Sequence, residues 1–243
     1  MELDGQSVLV FDLSGPFAHY KKIFATTTAL TYPIPPKSSL YGLIGAILGL
    51  EKQENTYLTS FSEGTCYMGL RIMKPIATQR ITMNLRPSFG SLRATENRKP
   101  TLMEFVDRPS YRIYFTHRDT HLYDRLKQML EQGKSVYTPT LGLANLIAKL
   151  VYVGEGKLRT ADNDEVDSVI PKRALEKLLP PPPGRNNRLM EVGQYAVEIL
   201  PSRDVTVREN VVMDRNGLPI AARVRSLYQI DELPQDTARV LFF

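Results

Sequence analysis

An α+β sandwich is the fold class this sequence predicts, and three observations carry it. The strand-like run SVLVFDLSGPFA is followed by a segment with helical spacing at Leu40, Leu43, Ile44, Ile47 and Leu48. The same strand-then-helix order returns at residues 110–116 (SYRIYFT) and Thr120 to Gln132. From Arg188 onward the chain is almost all strand-like, which adds a β-rich end to the alternating part. At 243 residues, 42% hydrophobic and 23% charged, the chain can bury one generous core or two small ones.

Each element has its own local cause. The first strand alternates β-branched and apolar residues and stops at the Gly15-Pro16 turn. A basic, aromatic loop follows with Phe17, His19, Tyr20, Lys21 and Lys22. After Thr26-Thr27-Thr28 and the stiff PIPP segment, Ser38 or Ser39 is placed to cap the first helix. Gly42, Gly45 and Gly49 let another backbone approach that helix, and Gly49 also serves as its stop. Residues 66–73 (CYMGLRIM) and 110–116 read as strands flanking an excursion too long for an ordinary hairpin loop. The second helix puts Leu122, Leu126, Met129 and Leu130 on one face and stops at Gly133. YTPTLGLANLIAKLVYVG is expected to be a short helix running into a strand, and Arg173 to Leu179 a further short helix beyond the acidic stretch Asp162 to Asp167. The PPPPG at 180–184 is a stiff surface connector. Beyond it, EVGQYAVEIL, DVTVRENVVM and IAARVRSLYQI read as strands parted by turns such as Asn216-Gly217. The only internal repetition is a weak β-α-β unit occurring twice.

Composition excludes several classes. The longest apolar stretch, Leu40 to Leu50, has eleven residues and three glycines, well short of the roughly 20 that cross a bilayer. Cys66 is the only cysteine, so neither disulfides nor a cysteine metal site is expected, and the N-terminus lacks the basic region of a secretory signal. The setting expected is reducing and cytoplasmic, with no membrane, cofactor or metal. A formal net charge of +5 and a pI of about 9.2 suit a polyanionic partner.

Two segments carry the chemistry. In GPFAHYKKIFATTTALTYPIPPKSSLYGLIGAILGL, Lys21, Lys22 and Lys37 can neutralise phosphates, and Phe17, Tyr20 and Tyr41 offer faces for base stacking. Thr26, Thr27, Thr28 and Ser38 can donate to phosphate or ribose oxygens, beside the free N–H groups of a helix start. These are the parts of a single-stranded RNA site; the alternative is that Phe17 and Tyr41 are core and the lysines a solvated rim. The second segment, Lys74 to Arg108, carries Lys74, Arg80, Arg86, Arg93, Arg98, Lys99 and Arg108 against only Glu96, Glu104 and Asp107. Such an arm can lie along an RNA backbone or pack on a protein partner through Met83, Leu85 and Phe89. A metal-independent ribonuclease would draw its acid and base from the three histidines, His19, His117 and His121, with Tyr41 assisting. The four-residue spacing of His117 and His121 lacks a local glutamate or cysteine to complete a metal site. No phosphate-binding GxxxxGK[ST] loop, GxSxG elbow, HExxH or CxxC pair is present.

GPFAHYKK, the TTTALTYPIPPKSSLYGLIGAILGL block and YTPTLGLANLIAKLVYVG together resemble the Cas-five family of CRISPR-associated RAMP proteins, with members from type I-B-like systems the nearest in appearance. The resemblance covers the N-terminal two thirds well and the last strands loosely. It implies a ferredoxin-like (RRM-like) RNA-binding domain at 1–180 with a long β-hairpin thumb inserted at about 74–110, and a β-rich C-terminal part at 181–243. It also implies one copy per Cascade assembly, a non-catalytic grip on the 5′ handle of the guide RNA, and contacts to the large subunit and a backbone subunit, with target DNA a further candidate partner. In one branch of the family the protein itself cuts the repeat RNA with Tyr, Lys and His, and no clear match to that arrangement is present here. Three readings therefore follow: an RNA-holding module, an endoribonuclease using His19, Tyr41 or His117, and a wedge between protein subunits.

Overall fold

The computed structural model describes residues 3–22, 29–61, 64–85, 99–233 and 236–243. The chain opens with β1 (Ser7–Ser14), the short strands β2 (Phe17–Ala18), β3 (Tyr20–Lys21) and β4 (Thr31–Tyr32), and helix α1 (Lys37–Leu48). β5 (Cys66–Ile72), β6 (Ala77–Leu85), β7 (Lys99–Asp107), β8 (Ser110–His117), α2 (Thr120–Glu131) and β9 (Lys149–Thr160) follow. Apart from a 3-10 turn, the elements of the last third are strands: β10 (Glu165–Val166), β11 (Ile170–Pro171), β12 (Leu175–Leu178), β13 (Leu189–Ile199), β14 (Val205–Asp214), β15 (Ile220–Val224), β16 (Tyr228–Asp231) and β17 (Arg239–Val240).

The main sheet is six-stranded, in the order β17-β16-β9-β1-β8-β5, with every pairing antiparallel. Taken alone, β1, β5, β8 and β9 lie in the order fourth, first, third, second, with α1 after the first strand and α2 after the third. The β-α-β unit thus occurs twice. β1 sits at the centre, and its alternating side chains serve two cores because a strand's faces alternate residue by residue. Leu9, Phe11 and Leu13 meet Leu40, Ile44 and Ile47 of α1 and Leu126 and Leu130 of α2. Val8 and Val10 point the other way, to Tyr114, Leu158, Ile230 and Val240. The helix-side core continues into Tyr195, Val197, Val211 and Met213 of β13 and β14, so the C-terminal strands share it.

β5 is closed at its outer edge by the chain's end, where Met68 and Phe243 exchange backbone hydrogen bonds of 3.2 and 3.1 Å. The approach requires a glycine: a Cβ at Gly69 would overlap the Val240 side chain and stand 3.0 Å from the Leu241 carbonyl. Gly69→Val is therefore expected to lower stability by about 1–3 kcal/mol, read by urea denaturation; an unchanged midpoint would show that the C-terminal segment is not held there.

Four local expectations need correction. Neither Ser38 nor Ser39 caps α1: the helix begins at Lys37 behind Pro36, with no side-chain cap. Proline has no N–H to satisfy and a φ already near helical values, and its carbonyl accepts from the Ser39 and Leu40 N–H groups at 2.8 and 3.2 Å. Over Gly45 lies the Tyr57 ring, 3.4 Å from where a Cβ would be, rather than another backbone. Gly49 does end the helix, at φ 71°. Residues 137–148 form a loop, not a helix, because Gly142 at φ +99° breaks it and Leu141 and Leu146 turn inward, closed by a 2.7 Å backbone bond between them. Of the helix expected at Arg173 to Leu179 only a short 3-10 turn at Lys172–Ala174 forms, after which Leu175–Leu178 pairs with β15. By contrast α2 forms as read, with Asp119 accepting from the N–H groups of His121 and Leu122. Among the described residues no helix is long and apolar enough to cross a membrane.

Candidate nucleic-acid interface

The arginine-bearing excursion is a two-stranded hairpin whose register runs from Ala77 opposite Asp107 to Leu85 opposite Lys99. Nine residues per strand project it about 30 Å at the usual rise of about 3.4 Å per residue. Its root is bound to the basic loop on both flanks. Phe17 and Ala18 pair with Asp107 and Val106, while Ala29 bridges Met103 and accepts from the Glu104 N–H at 2.9 Å. Glu104 is the hub of this junction. Its carbonyl accepts from His19 Nδ1 at 2.7 Å, its carboxylate accepts from the Thr31 N–H at 3.3 Å, and Arg80 Nε pairs with it at 3.6 Å. Phe105 packs on the rings of Phe17 and His19, at centroid distances of 6.0 and 5.5 Å. Lys21 is exposed, and Lys22 is half-buried with its ammonium 5.9 Å from the Tyr32 ring centre.

Beside this junction a groove of about 440 Å³ runs along the glycine face of α1. Ser38, Ser39, Thr138 and Thr140 supply hydroxyls to its lining, Tyr57 and Tyr137 supply rings, and Lys52 and Arg203 supply positive charge. Tyr137 is 56% exposed. Gly142, at the groove's edge, lies so close to the His19 carbonyl and the Tyr20 ring that the groove and the basic loop share a wall.

The residues singled out from sequence divide three ways. Phe17, Lys21, Lys22, Ser38 and Arg80 stand at the junction or the groove. Tyr20, Lys37 and Tyr41 do not: they are 3%, 2% and 1% exposed, and a buried ring offers no face to a base. Tyr41 stacks on Phe61 at 5.0 Å, and its hydroxyl and Lys37 Nζ each lie 3.3 Å from the same oxygen of Glu198. Burial raises the phenols of Tyr20 and Tyr41, so both stay protonated, and it pushes the neighbouring Cys66 thiol up to about 12, leaving it unreactive. Thr26, Thr27, Thr28, Arg86, Arg93 and Arg98 lie outside the described residues.

Two of the three histidines, His19 and His117, are engaged structurally, and His121 is exposed on α2. His117 Nδ1 accepts from the Asp119 N–H at 3.0 Å, which obliges Nε2 to carry the proton it donates to the Ser60 carbonyl at 2.7 Å. His19 is 3% exposed and, like His117, donates to a backbone carbonyl. Tyr41 and His117 both pack on Phe61, whereas His19 sits at the hairpin root with Phe105. Among the described residues no three His, Cys, Asp or Glu side chains gather as metal ligands would.

Two carboxylates matter more than their sequence context suggested. Glu104 reads as one of three negative charges diluting a basic arm, yet it ties that arm to the loop. Glu198 stands alone in the apolar run AVEIL, and a lone carboxylate in such a run is itself a sign of a buried partner.

The family model described as CRISPR-associated protein (Cas_Cas5) matches residues 8–216. Among solved structures, the chain is similar to one from a "CRISPR RNA-guided surveillance complex" at 12% identity, covering 90% of this chain and 91% of that one with a TM-score of 0.51. It is also similar to a CRISPR protein from Archaeoglobus fulgidus at 12% identity, covering 96% and 97% with a TM-score of 0.53. No curated protein matches its sequence. At 12% identity the two structural likenesses concern the fold, which both share over nearly their whole length.

Proposed function

The chain belongs to the CRISPR-associated Cas5 family, and from that premise we propose that it is a non-catalytic subunit of a type I Cascade complex that holds the 5′ handle of the guide RNA. The observation that carries this reading is the clamped junction: a hairpin root, a lysine-bearing loop and a hydroxyl- and tyrosine-lined groove meet around Glu104 and Gly142. Cations for phosphates beside rings for bases are what single-stranded RNA requires. The strand order fourth, first, third, second supports naming the core at 1–180 a ferredoxin-like RAMP domain, with 74–110 its thumb and 181–243 a β-rich part bracing it. Leu85 and Leu102, 42% and 43% exposed on the thumb, favour contact with a backbone subunit there. The large subunit and target DNA are the remaining partners of this reading, in the cytoplasm.

The test is a gel assay of the purified chain with 5′-labelled CRISPR repeat RNA in excess EDTA. Intact RNA in a salt-sensitive complex is expected. Replacing Lys21 and Lys22 together with alanine should weaken it and reduce the log–log salt slope by about 1.4, roughly 0.7 for each phosphate contact on a single strand. A discrete cut abolished by His19→Ala or His117→Ala would overturn the non-catalytic assignment, and the absence of any retained complex would overturn RNA binding.

A further inference from the structure

The groove along α1 has unlike ends. Near the start of the helix its lining carries the hydroxyls of Ser38 and Ser39, and beyond the helix's C-terminus it carries two cations, Lys52 and Arg203. These cations come from distant segments joined by one side chain. Asn55, in the 3-10 segment Gln53–Phe61, accepts from Arg203 Nε at 2.9 Å across 148 residues of sequence. Its Nδ2 donates to the Pro201 carbonyl at 2.9 Å, and its backbone N–H donates to the Lys52 carbonyl at 2.9 Å. The turn between β13 and β14 is closed in its own right, by the Arg203 N–H on the Leu200 carbonyl at 2.8 Å and the Leu200 N–H on the Asp204 carbonyl at 3.0 Å. Glu54, Asn55 and Arg203 all sit at positive φ, 54°, 57° and 73°. Such backbone is unfavourable for a residue with a Cβ and persists only where its surroundings over-determine it, as the Asn55 bonds do here.

The two charges are unopposed. Among the described residues neither Lys52 nor Arg203 has an acidic partner within ion-pair distance, the sequence neighbours Glu51, Glu54 and Asp204 included, and Asp204 accepts instead from the Ser202 hydroxyl at 2.7 Å. None of the described residues that line the groove is acidic. With Nε held by Asn55, the two Nη groups of Arg203 are left for phosphate oxygens. Between the ends, the half-buried Tyr57 ring stands 3.4 Å from where a Gly45 Cβ would be, and Gly42 has only the Tyr57 hydroxyl near it, at 4.0 Å. A groove of about 440 Å³ with a ring on its wall, free cations at one end and no carboxylate suits a flat ligand that carries a phosphate. We infer that Lys52 and Arg203 form a phosphate site, and that the groove holds one unstacked nucleotide of single-stranded RNA with its phosphate on these cations and its base against Tyr57. This rests on the handle-holding reading and gives the groove an occupant, a direction and two contact residues outside both basic segments of the sequence.

The full-length chain is titrated with 5′-labelled CRISPR repeat RNA at about 50 and about 200 mM salt, comparing wild type, Lys52→Ala, Lys52→Ala/Arg203→Gln, Gly42→Leu and Lys21→Ala/Lys22→Ala. Loss of one phosphate contact lowers the log–log salt slope by about 0.7, so the advantage of wild type over Lys52→Ala should shrink about 2.5-fold between the two salts. The Lys52/Arg203 variant should lose about 1.4 from the slope. Gly42→Leu, which fills the groove and leaves its charges in place, should weaken binding at both salts without lowering the thermal melt. Arg203 also braces its turn through Asn55, so Lys52→Ala, whose side chain has no ion pair or hydrogen bond among the described residues, carries the test should the double variant melt early. Wild-type affinity and slope in Lys52→Ala, alongside a weakened Lys21/Lys22 variant, overturns the site as an RNA contact and leaves the handle-holding reading standing. Binding of AMP alone that Lys52→Ala abolishes, with RNA binding untouched, would assign the groove to a free nucleotide and overturn its RNA occupant. A wild-type chain that binds no RNA overturns both readings.

Discussion

Asp236→Ala lowers the folding stability by about 3–5 kcal/mol, the usual consequence of removing one partner from a buried ionic cluster. The Asp236 side chain is 1% exposed and holds four groups at once. It accepts from the Tyr114 hydroxyl at 2.8 Å, Arg112 Nη1 at 3.1 Å and the Ala238 N–H at 3.1 Å, and it faces Arg71 Nη1 at 3.6 Å. Without it, among the described residues Arg112 keeps its two-pronged pair with Asp12, at 2.7 and 2.9 Å, and Arg71 keeps Asp167 at 4.0 Å. The Tyr114 phenol, held protonated by burial first and by Asp236 second, is left with a donor and nowhere to place it. The network continues through Asp167 to Arg239 at 2.9 Å and from there to Glu165 at 3.0 Å, so the loss loosens β17 as well as β8. Against a typical total stability of about 5–15 kcal/mol, the variant should unfold at a much lower urea concentration and expose its C-terminus to protease. A shift of less than about 1 kcal/mol would mean that the cluster is solvated rather than buried.

The second large effect is expected at Glu198. Lys37 and Glu198 have side chains only 3% and 10% exposed, and Tyr41 shares the same carboxylate oxygen. Glu198→Ala leaves a buried ammonium unpaired and should cost about 3–5 kcal/mol, whereas Lys37→Met with Glu198→Leu should recover most of it, because apolar replacement of a whole buried pair is often neutral. A double-mutant cycle by chemical denaturation measures the coupling. The same double variant separates two roles for Lys37. A structural lysine predicts an unchanged salt slope for RNA binding, and a phosphate ligand predicts a fall of about 0.7. Equal destabilisation by the single and double changes would remove the ion pair as a feature of the fold.

Both predictions depend on residues whose importance is poorly legible in the sequence. The first strand, α1, α2 and the strands at 66–73 and 110–116 are readable because their cause is local, an apolar period of two or of about 3.6 within a dozen residues. The excursion declares itself by length, and its root does form a hairpin. The failed helices have two different grounds: Gly142 sits in a left-handed conformation that ends a helix locally, whereas Leu175–Leu178 gains a distant partner in β15 that no propensity scale can see. Asn216-Gly217 is a turn, as its chemistry demands, with Asp214 accepting from the N–H groups of Asn216 and Leu218. It joins β14 to β15 without pairing them, since the two strands lie in different sheets.

The amino-acid sequence by itself determined the alternation of strands and helices, the basic and aromatic character of the loop after β1, and the projecting arm. It also carried the family, through the blocks around Gly15 to Leu50. Only the tertiary structure decided which cations remain free. Lys37 and Lys21 are both lysines in one basic stretch, yet one is buried against a carboxylate 161 residues away and the other faces solvent. Gln194, unremarked in its strand, accepts from the Tyr32 hydroxyl because a bulge re-aims it. Periodicity acts over a few residues and leaves its mark on the sequence, whereas charge acts through space between segments that the fold alone brings together.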